Sequence, residues 1–451
     1  MKDVVRIGNG CGFWGDNLDA PIYLAERGQL DYLTLEYLAE LTMSILALQK
    51  QRDPGAGFAS DFLDVLARLA PVLKTQPNLK IVTNAGGMNA LACAQKACEL
   101  LRKAGLAGIQ IAAVTGDDLL PQLETLPARG EQLANFDTGE DLSQVRDRLV
   151  SANAYLGARP IVDALTKGAR IVITGRVADA SLTVGPAAFE FGWSFEDWHK
   201  LAGASVAGHL IECGAQATGG LWCNYQDTDL ADVGYPIAAL ISDGSFRLTK
   251  TPGSGGAVNR ETALEQLFYE IGDPEAYLTP DVVADFSQVE IEETGPDEVR
   301  VSGAVGKPAT PTYKVSMAYR DGYTGSGSLT IVGPEADRKA RLCGEMIRSR
   351  LARAGVLPEH FLVECLGTGD AVPGSLPACR PPEVVLRVGA RDGKRAVVDR
   401  FTKEFAPLVT SGPPGVAGYA TGRPPVREVF AYWPALVRKE LVSATVHMME
   451  S

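Results

Sequence analysis

The chain has 451 residues, 46% of them hydrophobic and 22% charged, with a formal net charge of -12. That length calls for about two or three domains, and the acidic balance argues against a nucleic-acid or anionic-membrane partner, which needs a basic face. No apolar run approaches the ~20 residues of a membrane helix, and the start MKDVVRIGNG has no signal-peptide pattern, so the expected location is the cytoplasm.

Taken in order, the first half alternates short β-branched runs with helical periodicity, the pattern of a parallel sheet with covering helices. Strands are expected at Val4–Ile7, Tyr32–Leu35, Lys80–Thr83, Ile109–Val114, Arg170–Thr174 and Ile237–Ile241, with helical periodicity over Ala90–Ala104 and Ser194–Glu212. The apolar strands run out into glycine, polar or charged residues: GNGCGFWGDN, Glu36, NAGGMN, TGDD and GRVAD. Parallel sheets place ligand sites at the carboxyl ends of their strands, so Asp16, Glu36, Asn84, Asn89, Asp117, Asp118, Arg176 and Asp179 are candidates to line one crevice. Taken singly, each Asp or Asn is also a good turn or N-cap residue.

Gly10, Gly12 and Gly15 form a GxGxxG, with Glu36 about twenty residues on as the dinucleotide fingerprint asks. Asp16, however, puts a negative charge where helix-opening amides should face a pyrophosphate. The most unusual stretch is Gly208–Gly220, GHLIECGAQATGG. A helix end carrying His209, Glu212 and Cys213 gives way to a glycine-rich turn. Such a layout suits a reactive site, and it equally suits a buried structural thiol beside a helix-end histidine.

Beyond Gly244 the texture changes. Thr249–Asn259 is glycine-rich, suited to cradling a phosphate or a thioester carbonyl or to moving as a lid, and a helix over about 260–271 follows with Asn259 as its cap. From Ser287 to Val332 the period is two, the mark of about four antiparallel strands. A helix over Pro334–Ala354 and strands at Phe361–Cys365 and Glu383–Val388 come next, with Pro373–Pro382 as a surface connection. Ala406–Pro425, rich in glycine and proline, carries Thr410, Ser411, Tyr419, Thr421 and Arg423; it is expected to fold over the crevice, with Arg423 as an anion clamp. The fold class is therefore α/β: a mostly parallel sheet covered by helices in the N-terminal half, with a second mixed α+β domain containing an antiparallel sheet. The expected domains are 1–244, 245–400 and a C-terminal 401–451 that packs back on the core.

The eight cysteines (Cys11, Cys93, Cys98, Cys213, Cys223, Cys343, Cys365 and Cys379) form no CxxC pair, and His199, His209, His360 and His447 are the only histidines. Neither a zinc ribbon nor a multi-histidine metal site is indicated, and no bound cofactor is signalled. A magnesium or calcium ion held by carboxylates stays open.

The strings IGNGCGFWGDN, LDYLTLEYLAELTMSIL, VTNAGGMN, VITGRVADASL, GHLIECGAQATGG, TKTPGSGGAVN, EQLFYEIGDPEAYLTPDVVADF and PLVTSGPPGVAGYATGRP carry a resemblance that runs nearly end to end. On these the chain resembles the acyclic terpene utilisation (AtuA) family. The resemblance implies a catabolic enzyme or pathway component acting on branched acyl compounds processed as coenzyme A thioesters, and assigns no catalytic residue. Longer members carry a further small C-terminal domain, for which a chain ending at Ser451 leaves no room.

The expected function is a cytosolic enzyme, working as a homo-oligomer, that hydrates, dehydrates or isomerises a branched acyl thioester. Such chemistry needs a placed acid and base and donors for a developing oxyanion. Glu36, Asp179, His209 and Glu212 are the acid/base candidates, and Cys213 activated by His209 is a nucleophilic variant. Gly86–Gly87 or Gly219–Gly220 are candidate amide donors. Asp16, Asn84, Asn89, Asp117, Arg176, Gln216, Ser411, Tyr419 and Arg423 complete the candidate substrate-binding set. The alternatives are a non-catalytic acyl-binding or scaffold subunit and an NAD-dependent oxidoreductase.

Overall fold

A computed structural model describes residues 2–374, 379–419 and 422–451. Residues 375–378 of the expected proline-rich connection, and Thr421, lie outside the described residues.

Short apolar runs alternating with helices build the first unit, Met1–Ala318 with Tyr432–Ser451. Strands β1 (Val4–Asn9) and β2 (Tyr32–Leu35) enclose helix α1 (Ala20–Arg27); α2 (Glu40–Arg52) and α3 (Asp61–Thr75) lead to β3 (Lys80–Thr83), then α4 (Ala90–Lys103) to β4 (Gln110–Thr115). Next come β5 (Leu149–Ala154), α5 (Arg159–Thr166), β6 (Ile171–Thr174), α6 (Ser181–Phe191) and α7 (Trp198–Glu212). The chain continues through β7 (Pro236–Ile241), β8 (Phe246–Lys250), α8 (Arg260–Leu267), β9 (Tyr277–Leu278), β10 (Val283–Asp285), β11 (Glu290–Gly295), β12 (Glu298–Ser302) and β13 (Val305–Lys307). It leaves this unit within β14 (Thr312–Val332), returns within β18 (Arg427–Arg438) and closes with β19 (Thr445–Glu450).

One ten-stranded sheet, ordered β11-β12-β8-β7-β1-β2-β3-β6-β4-β19, organises the unit. Its five central strands, β1, β2, β3, β6 and β4, run parallel. Antiparallel strands complete both edges: β7 pairs with β1, and β19 with β4. Along the parallel strands successive residues point to opposite faces. Leu33, Leu35, Ile81, Ile111 and Ile173 pack on α1, α3 and α4, while Val5, Ile7, Val82 and Val172, on the other face, are also fully buried. Both faces are covered, as a parallel sheet requires.

The mixed α/β class is as expected, with two corrections. Ile237–Ile241 is antiparallel to its neighbour β1, and the period-two strands 290–302 extend this same sheet through the β8–β12 pairing. Residues 244 and 245 lie in the turn of the β7–β8 hairpin, where Leu240 pairs with Phe246.

The second unit, Tyr319–Ala431, contains β15 (His360–Leu366), β16 (Glu383–Asp392), β17 (Val416–Gly418), α9 (Ala336–Arg353), α10 (Arg395–Thr402) and α11 (Leu408–Ser411). β16 pairs with β14 in unbroken antiparallel register from Tyr323↔Asp392 to Val332↔Glu383. Thr312–Val332 is one continuous strand. Among the described residues no helix is long and apolar enough to cross a membrane.

Candidate active site

Helix α7 is apolar on every side, and each residue from Leu201 to Glu212 is buried, which makes it an internal helix rather than a surface one. Its glycines let it sit close to its neighbours: a Cβ on Gly208 would meet the Ala180 Cα at 2.7 Å. Its last carbonyls, Ile211 and Glu212, each accept a hydrogen bond at 2.8 Å from the Asn9 side chain at the end of β1. Gly12, in the loop after β1, lies where a Cβ would be 2.8 Å from the Cys213 carbonyl carbon. Gly12 is thus explained by packing against the end of α7, and Gly10 by the Pro21 Cα, 2.8 Å from where its Cβ would be. Asp16 closes that loop, accepting from the Gly12 amide at 2.7 Å and from the Tyr235 hydroxyl at 2.6 Å. Its carboxylate takes the amide that a bound phosphate would need.

At the carboxyl ends of β2 and β6, beside the end of α7, opens a cavity of about 920 Å³. Glu36, Arg176, Asp179, Glu212, Cys213 and Gln216, all expected site residues, line it. Tyr155, Glu40, Lys314, Tyr277, Glu270 and Tyr432 line it too. Sequence reasoning missed these six. Tyr155 directly follows a strand end, the signal that marked the others; Lys314 lies in a long alternating strand and carries no local signal.

Arg176 ties the floor together. Its Nη1 donates to Asp179 Oδ1 at 2.7 Å and to the Leu38 carbonyl at 2.9 Å, and lies 3.8 Å from Glu36 Oε1. The Tyr155 ring covers the guanidinium at 4.1 Å, and Lys314 Nζ lies 4.8 Å from the same ring. The Tyr155 hydroxyl donates to Glu40 at 2.6 Å. Burial disfavours charge on Glu40, but Tyr155, Arg176 and Lys314 outweigh it and hold the carboxyl down at about 2.

Glu36 and Glu212 go the other way. Burial and the nearby Asp179 push Glu36 well above the usual carboxyl range, against the pull of Arg176. Burial pushes Glu212 up to about 7, against the stabilising contact of His209, whose Nδ1 lies 3.3 Å from Glu212 Oε1. His209 is itself buried, packed 5.6 and 5.5 Å from the Tyr277 and Phe286 rings. Burial opposes charge on its imidazole, and Glu212 more than restores it. A carboxyl that titrates near neutrality in a cavity suits proton transfer.

Other expected site residues lie elsewhere. His209 backs Glu212 from behind the lining and makes no hydrogen bond to Cys213 among the described contacts. Burial pushes the Cys213 thiol up to about 12, which disfavours its thiolate. Asn84 is a buried support: its Nδ2 donates to Glu36 Oε1, and its Oδ1 accepts from the Tyr37 amide at 2.8 Å. Asn89 caps α4, and Asp118 accepts from the Leu120 amide at 3.1 Å. Asp117 accepts at 2.9 Å from both the Arg176 amide and Asn153, and burial moves it up to about 6. Gly86 and Gly87 are buried in a turn in which the Gly87 amide donates to the Asn84 carbonyl, and the Gly219 and Gly220 amides both donate to Ala215. Neither pair lines the cavity.

The Thr249–Asn259 loop ties instead to the segment before β7, its Ala257 amide donating to Thr218. Ser411, Tyr419 and Arg423 belong to the second unit and are absent from the cavity lining. There Ser411 accepts from Arg350 at 2.8 Å, Tyr419 packs on the apolar core, and Arg423 donates to Thr402 at 2.9 Å and pairs with Asp399. The Ala406–Pro425 string contains α11 and β17 rather than one irregular loop. Among the described residues no group of three or more His, Cys, Asp or Glu is arranged to hold a metal ion.

A family model described as acyclic terpene utilisation family protein AtuA matches residues 5–448. No curated protein matches, and no solved structure does.

Proposed function

The chain belongs to the acyclic terpene utilisation family AtuA, and from that premise we propose that it is an enzyme of branched-acyl catabolism whose substrate enters the first unit's cavity as a coenzyme A thioester and undergoes proton transfer leading to hydration, dehydration or isomerisation. The observation that carries this reading is Glu212: a buried carboxyl on the cavity wall, moved up to about 7 and backed by His209. In its ionised form it takes a proton from the carbon next to the thioester carbonyl; in its protonated form it returns one, so a single group serves both directions near neutral pH. Asp179, held by Arg176, adds to burial in raising Glu212. Phe13, Leu38, Phe136, Leu278 and Leu436, also on the lining, supply apolar surface for a branched chain.

A cytoplasmic location belongs to this proposal and is supported by the eight free cysteines. A ligand that binds only the folded chain raises its melting temperature by mass action. The proposal expects a shift with thioesters of branched acids and none with NAD(H). A shift with NAD(H) alone would favour an oxidoreductase instead.

A further inference from the structure

The cavity wall carries six carboxyl groups, Glu36, Glu40, Asp137, Asp179, Glu212 and Glu270, against two cations, Arg176 and Lys314. Both cations are engaged. Arg176 is bound to Asp179 and the Leu38 carbonyl under the Tyr155 ring, and Lys314 lies 3.2 Å from Glu40. A ligand carboxylate brought here would meet surplus negative charge, and each lining cation already has a carboxylate partner, which disfavours it in a partly dry site. The reacting end of the ligand must therefore be neutral.

Glu36 supplies what a neutral carbonyl needs. It is 4% exposed, at the carboxyl end of β2 on the cavity wall. Its two oxygens are not equivalent. Oε1 accepts from the Leu38 amide at 3.0 Å and from Asn84 Nδ2, while Oε2 is buried without a partner. An ionised carboxylate so placed would leave half its charge without a donor, an expensive arrangement. A protonated carboxyl fits the pattern: its C=O is Oε1, already accepting two N–H groups, and its O–H is Oε2, with a proton to donate. Burial and Asp179 favour the same protonation state.

We propose that Glu36 is a neutral carboxylic acid whose Oε2–H donates a hydrogen bond to the carbonyl oxygen of the ligand, selecting thioesters and related neutral carbonyl compounds over free acids. The role first expected for glycine amides passes to this side chain, and Glu212 is left to move the proton. The inference rests on the acyl-substrate reading above and deepens it.

The test joins spectroscopy to binding. An infrared difference spectrum of wild type against Glu36→Gln at neutral pH should show loss of a protonated-carboxyl band; loss of a carboxylate band instead would overturn the proposal. In titrations with the N-acetylcysteamine thioester of 3-methylbutanoic acid and with the free acid, wild type should prefer the thioester by about tenfold or more. Glu36→Gln, whose amide puts a donor where Oε2–H was, should keep thioester affinity within about threefold, and Glu36→Ala should lose about tenfold. Equal affinity for the free acid would overturn the proposal, as would a Glu36→Gln chain that fails to fold, since glutamine copies the neutral form. Absence of turnover with the band and the preference intact would count against the catalytic reading alone.

Discussion

His209 Nδ1 stands 3.3 Å from Glu212 Oε1, one turn apart on a helix buried along its whole second half. The contact favours the ionised carboxylate and is the main restraint on a group that burial drives toward neutrality. Glu270 and Asp179 also bear on Glu212, both raising it.

His209→Phe keeps a ring between Tyr277 and Phe286 and removes the nitrogen. Glu212 then titrates higher, so the acidic limb of the pH–rate profile moves to higher pH while the fold is kept. A limb that stays in place would mean that His209 only fills space.

Arg176 is buried between Asp179, Glu36 and the Tyr155 ring. Arg176→Met leaves those carboxyls without their cation, and breaking such a pair costs on the order of 3–5 kcal/mol. Thermal denaturation should show this as one of the larger losses available on the cavity floor. Arg176→Lys should recover only part, because a compact ammonium does not stack on the Tyr155 ring as the planar guanidinium does.

Cys213 lines the cavity, yet its thiol is pushed up to about 12. Cys213→Ala should therefore keep turnover within a few-fold of wild type, about 1 kcal/mol or less in the barrier. Loss of all turnover in a folded Cys213→Ala chain would restore a covalent route.

Glu40 gives a signed pH prediction for stability. Its carboxyl lies at about 2 in the folded chain against an ordinary 4.5. The unfolded chain thus binds more protons across that interval, and stability rises with pH through it. The stabilisation is present above the ordinary value and is lost as pH falls toward about 2. Glu40→Gln should melt below wild type near neutral pH, with the gap closing on acidification. A gap that persists in strong acid would contradict the Tyr155–Glu40–Lys314 account.

The parallel strands and the polar residues after them were legible because short β-branched runs ending in Glu36 or GRVAD leave few alternatives. The same rule pointed to Glu36, Arg176 and Asp179, which with Glu212 from the end of α7 line one cavity from three separate stretches of the chain. Glycine misled. At Gly12 and Gly208 it marks close backbone approach, and at Gly219 and Gly220 the amides are spent on Ala215, which no local pattern distinguishes from an anion cradle. Glu40, Tyr155 and Lys314 escaped notice because their meaning is tertiary: one tyrosine ring joins two cations, and its hydroxyl reaches a carboxylate more than a hundred residues away.

Solvent-deuterium exchange at the carbon next to the thioester carbonyl, followed by NMR with a branched acyl-coenzyme A, tests the proton-transfer role of Glu212 directly. The account predicts exchange by wild type that rises as pH passes about 7 and falls about 10²–10⁴-fold in a folded Glu212→Gln chain. Exchange undiminished in that variant would contradict it.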